Sequence, residues 1–313
     1  MITLGVGLHP DVPEDVYHRD PAPQASLSST VAREILRSPM HARFLHPRLN
    51  PNWTAEEKTD RARDMGSAAH ALMLGAGRGL RIIDAADYKK DAPKKAAAEA
   101  RAEGLIPLLK PDAEDVHAMV ECGRDQLART EYAGIFDHDG DAELTMVWQD
   151  GPTWCRSRID YLPAIVRHGG HVVVPDYKTT AGSAHPDDWE RTLSDKNYAF
   201  QAAFYERGLR TLIPAIRSVE FIFVVQEQDP PYGLSVVGIE SEPLERARQD
   251  VEIALHLWRH CLGNDDWPGY TRRLVRIGAP ATRAERHEFR NASLLDRLAR
   301  WQAPLHNRKG EAA

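Results

Sequence analysis

Cysteine is scarce in this chain, with three among 313 residues. Cys122, Cys155 and Cys261 lie far apart and form no Cys-x-x-Cys pair. The sequence therefore gives no support to a zinc site built on thiolates or to an iron–sulfur cluster, which takes four cysteine ligands. Unpatterned cysteines also argue against a disulfide framework and predict a reducing, cytoplasmic compartment.

Long apolar runs are absent as well. No stretch approaches the roughly 18 residues that a membrane-spanning helix needs, and the N-terminus lacks a basic-then-apolar secretion signal. We therefore expect no membrane partner. The sequence has no internal repeat, Gly-rich phosphate loop or Gly-x-Ser-x-Gly motif, so the nucleotide-binding and hydrolase classes that those motifs define gain no support.

An excess of positive charge is the third absence. The chain has 40 lysine and arginine residues against 46 aspartate and glutamate residues, a net charge of −6. Because contacts with a phosphate backbone reward lysine and arginine, this balance argues against a nucleic-acid partner unless charge is segregated by face.

One apolar run, from Val172 to Thr179, ends in residues that can carry chemistry. Side chains alternate along a strand, so Asp176 and Lys178 are predicted to share one face with Tyr177 on the other. A carboxylate can hold a hard divalent cation, and an ammonium beside it can orient a water or neutralise developing charge. Ordinary surface charge is the alternative. Pro175 predicts a bulge or a sheet edge just before these residues.

A hairpin precedes that strand. Two alternating segments, 143–148 and 154–160, flank a turn at Gly151 and Pro152. A turn centred there places Glu143 opposite Asp160, with Cβ atoms about 4.5–5.5 Å apart. Carboxylates that close repel each other unless a cation lies between them. A solvated strand face with an incidental ion pair is the alternative.

A candidate metal ligand lies in residues 63–74, where small and apolar residues recur at helical spacing. Gly66 stands one turn before His70, so another segment of backbone can approach the helix closely beside the imidazole. A packed or capping histidine is the alternative to a metal ligand.

Taken in order, these motifs resemble the PD-(D/E)XK nuclease superfamily. The order and spacing are most similar to the RecE-type exodeoxyribonuclease VIII group of the RecB-like branch. Asp176 stands where much of the superfamily has glutamate. The resemblance covers about residues 15 to 272 and is carried by Tyr17–Pro21, Ser26–Thr30, Leu36–Pro39, Gly66-x-x-x-His70, Glu143, Arg158-Ile-Asp160, Asp176-Tyr-Lys178-Thr179, Gln201-x-x-x-Tyr205 and Trp267–Tyr270.

The resemblance implies a role for each position. Lys178 would position the attacking water or stabilise the transition state, in a catalytic set with Asp176, Asp160 and Glu143. Supporting or DNA-binding roles fall to Gln201, Tyr205, Arg156 and Arg158, although Gln201 and Tyr205 could equally belong to a helix face that packs on the sheet. The implied metal ligands are His70, Glu143, Asp160, Asp176 and the carbonyl of Tyr177.

The implied reaction is hydrolysis of phosphodiester bonds in linear double-stranded DNA. Two Mg²⁺ ions about 3.5–4 Å apart would serve it, with Mn²⁺ as a substitute. The group further implies a 5′-to-3′ exonuclease in phage-type recombination or end resection, a homo-oligomer, and a single-strand annealing protein as partner. No residue fixes the polarity, so endonuclease and 3′-to-5′ activities remain open.

Two other functions remain open. The chain could be a catalytically inactive nuclease fold that only binds DNA, although every proposed ligand is present. It could also be an unrelated iron oxygenase, but that class typically uses two histidines and one carboxylate, and no such pattern is evident.

The expected fold is α/β, with a PD-(D/E)XK restriction-endonuclease-like core in which helices flank a mixed central sheet. The nuclease domain is predicted to span 1–279 with an N-terminal helical embellishment, followed by a charged helix or tail over 280–313. Residues 1–25 read as irregular. Predicted helices cover about 29–36, 59–74, 93–101, 112–130, 198–212 and 243–261, and further strands cover 218–226 and 233–239.

Overall fold

Two mixed β-sheets lie side by side in the computed structural model, which describes residues 2–54, 61–137, 139–271, 273–276 and 283–302. The strands are β1 (Gly7–His9), β2 (Leu27–Ser28), β3 (Leu80–Ile83), β4 (Ile106–Leu109), β5 (Gly140–Asp150), β6 (Thr153–Pro163), β7 (Gly170–Thr180), β8 (Ile216–Glu227) and β9 (Leu234–Val237). One sheet has the order β1-β5-β6-β2 and the other β7-β8-β9, while β3 and β4 form a separate parallel pair. Strands β6 and β7 are neighbours, so the two sheets meet along a seam.

Helices cover both faces of these sheets. They are α1 (Glu14–His18), α2 (Ser29–Arg37), α3 (Pro39–Leu45), α4 (Arg61–Leu74), α5 (Asp91–Ala102), α6 (Lys110–Leu127), α7 (Pro186–Asp195), α8 (Tyr198–Leu212), α9 (Ser241–Asn264) and α10 (Arg283–Gln302), with a 3₁₀ helix at Ala164–His168. The start predicted for α4, at residue 59, lies outside the described residues. No described helix is long and apolar enough to cross a membrane.

Strand β8 shows how the core is divided. Its alternating side chains point to opposite faces of the sheet. Phe221, Phe223 and Val225 join a first cluster with α2, α8 and α9, while Ile222 and Val224 join a second cluster with α4 and α6. The sheets are therefore buried between two helical layers, which confirms the predicted α/β fold with a mixed sheet flanked by helices.

The hairpin has the register that its turn predicts. Strand β5 pairs with β6 so that Leu144 faces Ile159 and Ala142 faces Tyr161, which places Glu143 level with Asp160. The register is well determined because a slip of one residue would move every apolar side chain of the strand from the buried face to the opposite face.

Pro175 marks a sheet edge and not a bulge. Its pairing with Ile222 is continuous with the pairs on either side, and the register shift in β7 lies at Gly170 and His171. Strand β7 is the outer strand of its sheet. A proline is tolerated there because its missing N–H can face away from the ladder.

The N-terminal segment is more ordered than the sequence predicts. Strand β1 pairs antiparallel with β5, and α1 follows it. Both elements are too short to show a hydrophobic period, so they read as irregular. Ser28, one of the two predicted caps, accepts a hydrogen bond from the Val31 N–H at 3.3 Å and begins α2.

The described part of the C-terminal region is a helix that packs on the core. Leu294 and Leu298 of α10 are buried in the first cluster. Arg290 Nη2 lies 2.5 Å from Asp250 Oδ2 on α9. The sequence left a charged helix or a tail open for this region, and residues 283–302 form a helix. Residues 303–313 lie outside the described residues, and the domain boundary near 279 stays a prediction.

A buried ionic cluster holds the N-terminal segment against β6. Asp20 accepts hydrogen bonds from the N–H and Oγ of Ser26, at 2.9 and 2.5 Å, and its carboxylate lies 3.1 Å from Arg156 Nη1. His46 accepts at Nδ1 from the Arg48 N–H, so the ring proton is on Nε2, which lies 3.0 Å from the Ser26 carbonyl oxygen. Burial would raise the pKa of Asp20, but His46, Arg156 and Ser26 outweigh it and lower the pKa.

We predict that Asp20→Asn destabilises the protein by about 3 kcal/mol at pH 7, because a buried cation then loses its counterion. The pKa of Asp20 is lowered by folding, so its contribution is complete above about pH 4, the unfolded pKa, and is lost as pH falls through the folded value. Urea denaturation at pH 7 and at steps below pH 4 should show the two proteins converging in acid. Asp15→Asn, at an exposed acid in the same segment, is the control. Equal stability of Asp20→Asn and wild type at pH 7 would contradict the prediction.

Candidate active site

The site lies in the seam between β6 and β7. Because β7 is an outer strand, the Tyr177 N–H on its free side is available, and it donates to Asp160 Oδ2 at 2.9 Å. In an extended strand the N–H and C=O of one residue project to the same side, so the Tyr177 carbonyl also faces the seam. The carbonyl proposed as a metal ligand is therefore directed toward Asp160.

Asp176 and Lys178 share one face of β7, as alternation predicts. Their side chains contact each other through Oδ2 and Nζ, and Lys178 Nζ lies 3.8 Å from Asp160 Oδ2. Gln201 on α8 donates from Nε2 to Asp176 Oδ1 at 2.8 Å. The Asp176 carboxylate is buried, and its Oδ2 has no hydrogen-bond partner beyond the contact with Lys178.

His70 lies between the two hairpin carboxylates. Its Nδ1 is 2.9 Å from Glu143 Oε1 and its Nε2 is 3.0 Å from Asp160 Oδ2. The cationic partner that the facing carboxylates require is thus supplied in part by the imidazole. Arg158 supplies the rest, since its Nε bonds to Glu143 Oε2.

The backbone at Glu143 is strained. Its φ is +53°, a left-handed conformation that costs a residue with a Cβ about 1–2 kcal/mol. Leu144 packs in the first cluster, whereas Ala142 packs in the second and Glu143 reaches His70 on that same side. The strand therefore bends at Glu143 and directs the carboxylate toward α4. Such irregularities are typical of functional sites, where other contacts hold them.

Burial and charge shift the pKa values of the cluster in opposite directions. Burial raises the pKa of Asp176, and Asp160 raises it further, to about 7. Burial alone would raise the pKa of Asp160, but Lys178 and His70 hold it below its usual range. For His70, burial alone would lower the pKa, whereas Asp160 and Glu143 raise it to about 10. The three carboxylates are thus paired with the cations of His70, Lys178 and Arg158.

His70, Glu143 and Lys178 line a cleft of about 1530 Å³, whereas Asp160 and Asp176 are not among its lining residues. Its walls come from α1, the region of residues 44–54, α4, and the ends of α5 and β4. The described lining contains four acids and four lysine or arginine residues: Asp11, Glu14, Asp15, Glu143, Arg78, Arg101, Arg158 and Lys178. With His70, whose pKa is raised to about 10, the positive side chains of the described lining outnumber these acids by one, which leaves little net charge to attract a phosphate backbone.

The donor set fits a hard divalent cation. Three carboxylates, one imidazole and a backbone carbonyl are ligands that Mg²⁺ and Mn²⁺ accept. The buried Asp176 Oδ2 contacts the Lys178 ammonium, and a metal ion is a second kind of cation that this oxygen could bind. Within the described residues, no three histidine, cysteine or acidic side chains are arranged so that they could hold a metal ion. The side chains of this site bond to one another and to Lys178 and Arg158, so a cation would have to displace some of these contacts.

The predicted supporting residues differ in their placement. Gln201 contacts the site directly, whereas Tyr205 packs edge-on against Phe221, with ring centroids 6.0 Å apart, in the first cluster. Arg156 is buried and bonds to Ser26 and Asp20. The resemblance implied a supporting or DNA-binding role for Arg156, and the N-terminal segment that covers this side chain favours the supporting one.

Two residues beside the site, Tyr17 and Asp20, have no role that the sequence predicts. The Tyr17 ring lies 5.7 and 5.9 Å from the guanidinium carbons of Arg156 and Arg158, and Asp20 anchors the same segment. Both residues belong to Tyr17–Pro21, which entered the resemblance without a function. No period in the sequence could assign one, since these contacts join positions more than 130 residues apart.

Comparison with known proteins supports the superfamily. A family model described as "PDDEXK-like domain of unknown function (DUF3799)" matches residues 28–274. No curated protein matches the chain. The fold is similar to the crystal structure of a "Putative exonuclease" from Eubacterium rectale, with 14% sequence identity, a TM-score of 0.53, and coverage of 88% of this chain and 97% of the other. That likeness shows the fold alone, and the RecE-type branch stays a prediction.

Gly66 provides a test of how closely α4 packs against β7. A glycine-to-alanine change inside a helix ordinarily stabilises by about 1 kcal/mol. A Cβ at Gly66 would lie 2.9 Å from Thr179 Oγ1 on β7, so we expect Gly66→Ala to destabilise the protein by about 1–3 kcal/mol. Thermal unfolding of Gly66→Ala, Thr179→Ala and the double variant checks this. The double variant should recover stability relative to the sum of the single changes, and a higher Tm for Gly66→Ala alone would refute the close approach.

Proposed function

The chain belongs to the PDDEXK-like domain family, and from that premise we propose that it is a divalent-metal-dependent nuclease that hydrolyses phosphodiester bonds in DNA. One observation carries the proposal. Asp160 and Asp176, from separate sheets, meet Lys178 and His70 in the seam, and the site opens into a cleft large enough for an extended ligand.

Each residue of the site would have the role that its side-chain chemistry allows. His70, Glu143, Asp160, Asp176 and the Tyr177 carbonyl would hold one or two Mg²⁺ ions, with Mn²⁺ as a substitute. When bound, such ions polarise the phosphoryl oxygens, lower the pKa of a water and ease departure of the leaving oxygen. Lys178 would orient the attacking water and offset charge that develops on the phosphate, and Gln201 would fix the Asp176 carboxylate through its 2.8 Å hydrogen bond.

The charge balance of the cleft bears on substrate binding. The described lining has four acids against four lysine or arginine side chains and His70, so the cleft attracts a phosphate backbone weakly until cations occupy it. Two divalent ions would add four positive charges at the point where the scissile phosphate must lie. We therefore expect DNA binding itself, and not only cleavage, to depend on divalent cations.

The finer assignment is exonuclease action on linear duplex DNA, 5′ to 3′, in phage-type recombination or end resection. Its support is the resemblance to the RecE-type group, and the neighbour of similar fold bears an exonuclease description. A single-strand annealing partner and a homo-oligomeric assembly belong to the same proposal and rest on that resemblance alone. The alternative is a catalytically inactive DNA-binding protein with the same fold.

The direct test of the reaction compares end-labelled linear duplex with covalently closed circular duplex, each with Mg²⁺ and with chelator. We expect Mg²⁺-dependent loss of the linear form alone. Asp176→Asn and Lys178→Met should each lower the rate at least about 100-fold, because each removes a group that acts on the reacting phosphate. Loss of activity in Asp176→Asn also excludes a contaminating nuclease. Asp188→Asn, on α7 outside the cleft lining, is the matched control for removing an aspartate charge and should leave the rate unchanged. Cutting of the circle would keep the metal site and reject exonuclease action.

A binding measurement separates the active enzyme from an inactive homologue. With Ca²⁺ in place of Mg²⁺, the protein should bind duplex at least about tenfold more tightly than in chelator, by fluorescence anisotropy at fixed salt. Glu143→Gln should reduce that enhancement. Equal DNA affinity with and without cation, together with no cleavage, would support the inactive binding protein.

A further inference from the structure

We infer that the N-terminal segment, residues 12–26, positions Glu143 in the metal site through Arg158, with Tyr17 as the residue that holds the guanidinium. The inference rests on the proposed function, since it concerns a ligand of that site. It assigns Arg158 a positioning role, whereas the resemblance allowed it to bind DNA.

The guanidinium of Arg158 is held on three sides. Its Nε bonds to Glu143 Oε2, its Nη1 donates to the Val12 carbonyl at 2.9 Å, and its central carbon lies 5.9 Å from the centroid of the Tyr17 ring. The side chain is only 15% exposed. A guanidinium with these partners has little freedom to contact a phosphate and is well suited to hold a carboxylate in one orientation.

The Tyr17 ring is itself fixed by a second arginine. Arg156 lies 5.7 Å from the same ring, and its Nη1 bonds to the Ser26 carbonyl at 2.7 Å. Asp20 lies 3.1 Å from that nitrogen. The buried ionic cluster described above therefore anchors the ring that restrains Arg158.

Glu143 needs such restraint more than an ordinary strand residue does. Its left-handed φ of +53° persists only if surrounding contacts stabilise it. Its two carboxylate oxygens have different partners, His70 at Oε1 and Arg158 at Oε2. If Arg158 moved, the carboxylate would lose the contact that turns Oε1 toward His70 and the seam.

The segment lies outside the region that defines the family. The matched residues begin at 28, so Val12, Tyr17 and Asp20 all precede them, while Arg158 and Glu143 fall within. The matched core therefore contains the ligands, and residues before it supply the contacts that orient one of them.

Metal binding without turnover tests the inference. Isothermal titration of Mn²⁺ into full-length Tyr17→Leu should show at least about tenfold weaker binding than wild type, the usual effect of losing a contact that orients a ligand. Tyr17→Phe keeps the aromatic face and should bind within about twofold of wild type. Arg158→Lys keeps the charge but cannot bond Glu143 and the Val12 carbonyl in the same geometry, so it should weaken binding as Tyr17→Leu does and provides the test if Tyr17→Leu fails to fold.

Leu27→Val is the matched control. Leu27 belongs to the N-terminal region, but it packs in the first core cluster, on the face of β6 opposite the arginines. The Leu27→Val substitution should lower the Tm without changing the affinity for Mn²⁺. The inference is overturned if Tyr17→Leu binds Mn²⁺ as tightly as wild type, or if Leu27→Val loses as much affinity as Tyr17→Leu does. In either case, DNA cleavage by the wild type would leave the proposed function intact. If wild type neither binds Mn²⁺ nor cleaves DNA, both fail.

Discussion

The hydrogen bond from the Tyr177 N–H to Asp160 joins the two sheets where the site forms. Strand β7 ends its sheet on the side toward β6, so the backbone groups that face the seam lack a ladder partner. A carboxylate from β6 satisfies one of them. That single constraint places Asp160 beside the Asp176 and Lys178 pair, and it explains why Pro175 is tolerated two residues earlier, where a missing N–H costs little.

The site is built from one buried and several partly buried charges that each need a partner. Asp176 has Gln201 and Lys178, Asp160 has His70, and Glu143 has His70 and Arg158. Leaving a buried charge unpaired costs several kcal/mol, so the cluster is ordered as a unit. Binding of divalent cations would exchange some of these partners for metal ions while preserving the balance, which makes a cation a natural complement to this donor set.

Much of the fold follows from the sequence where the pattern is long. The hairpin register follows from the turn at Gly151 and Pro152, and α8 begins and ends where its helical pattern predicts. The hydrophobic periodicity of the sequence did not predict β1, α1, α3 and α7. These elements have three to ten residues, which is too few periods to distinguish a short element from a loop. Arg156 shows a second limit: strand alternation assigns its face correctly, but it cannot tell whether solvent or another segment covers that face.

The order of amino acids is enough to predict the chemistry available to this protein: which carboxylates, imidazole and ammonium exist, which share a strand face, and that Glu143 stands opposite Asp160. These are local properties, because the strand period and the turn geometry act over a few residues. Three contacts become visible only in the folded chain: His70 lies between the hairpin carboxylates, Gln201 bonds to Asp176, and Tyr17 contacts Arg158. Those contacts connect distant segments, and they exist because burying apolar faces on both sides of the sheets brings the segments together.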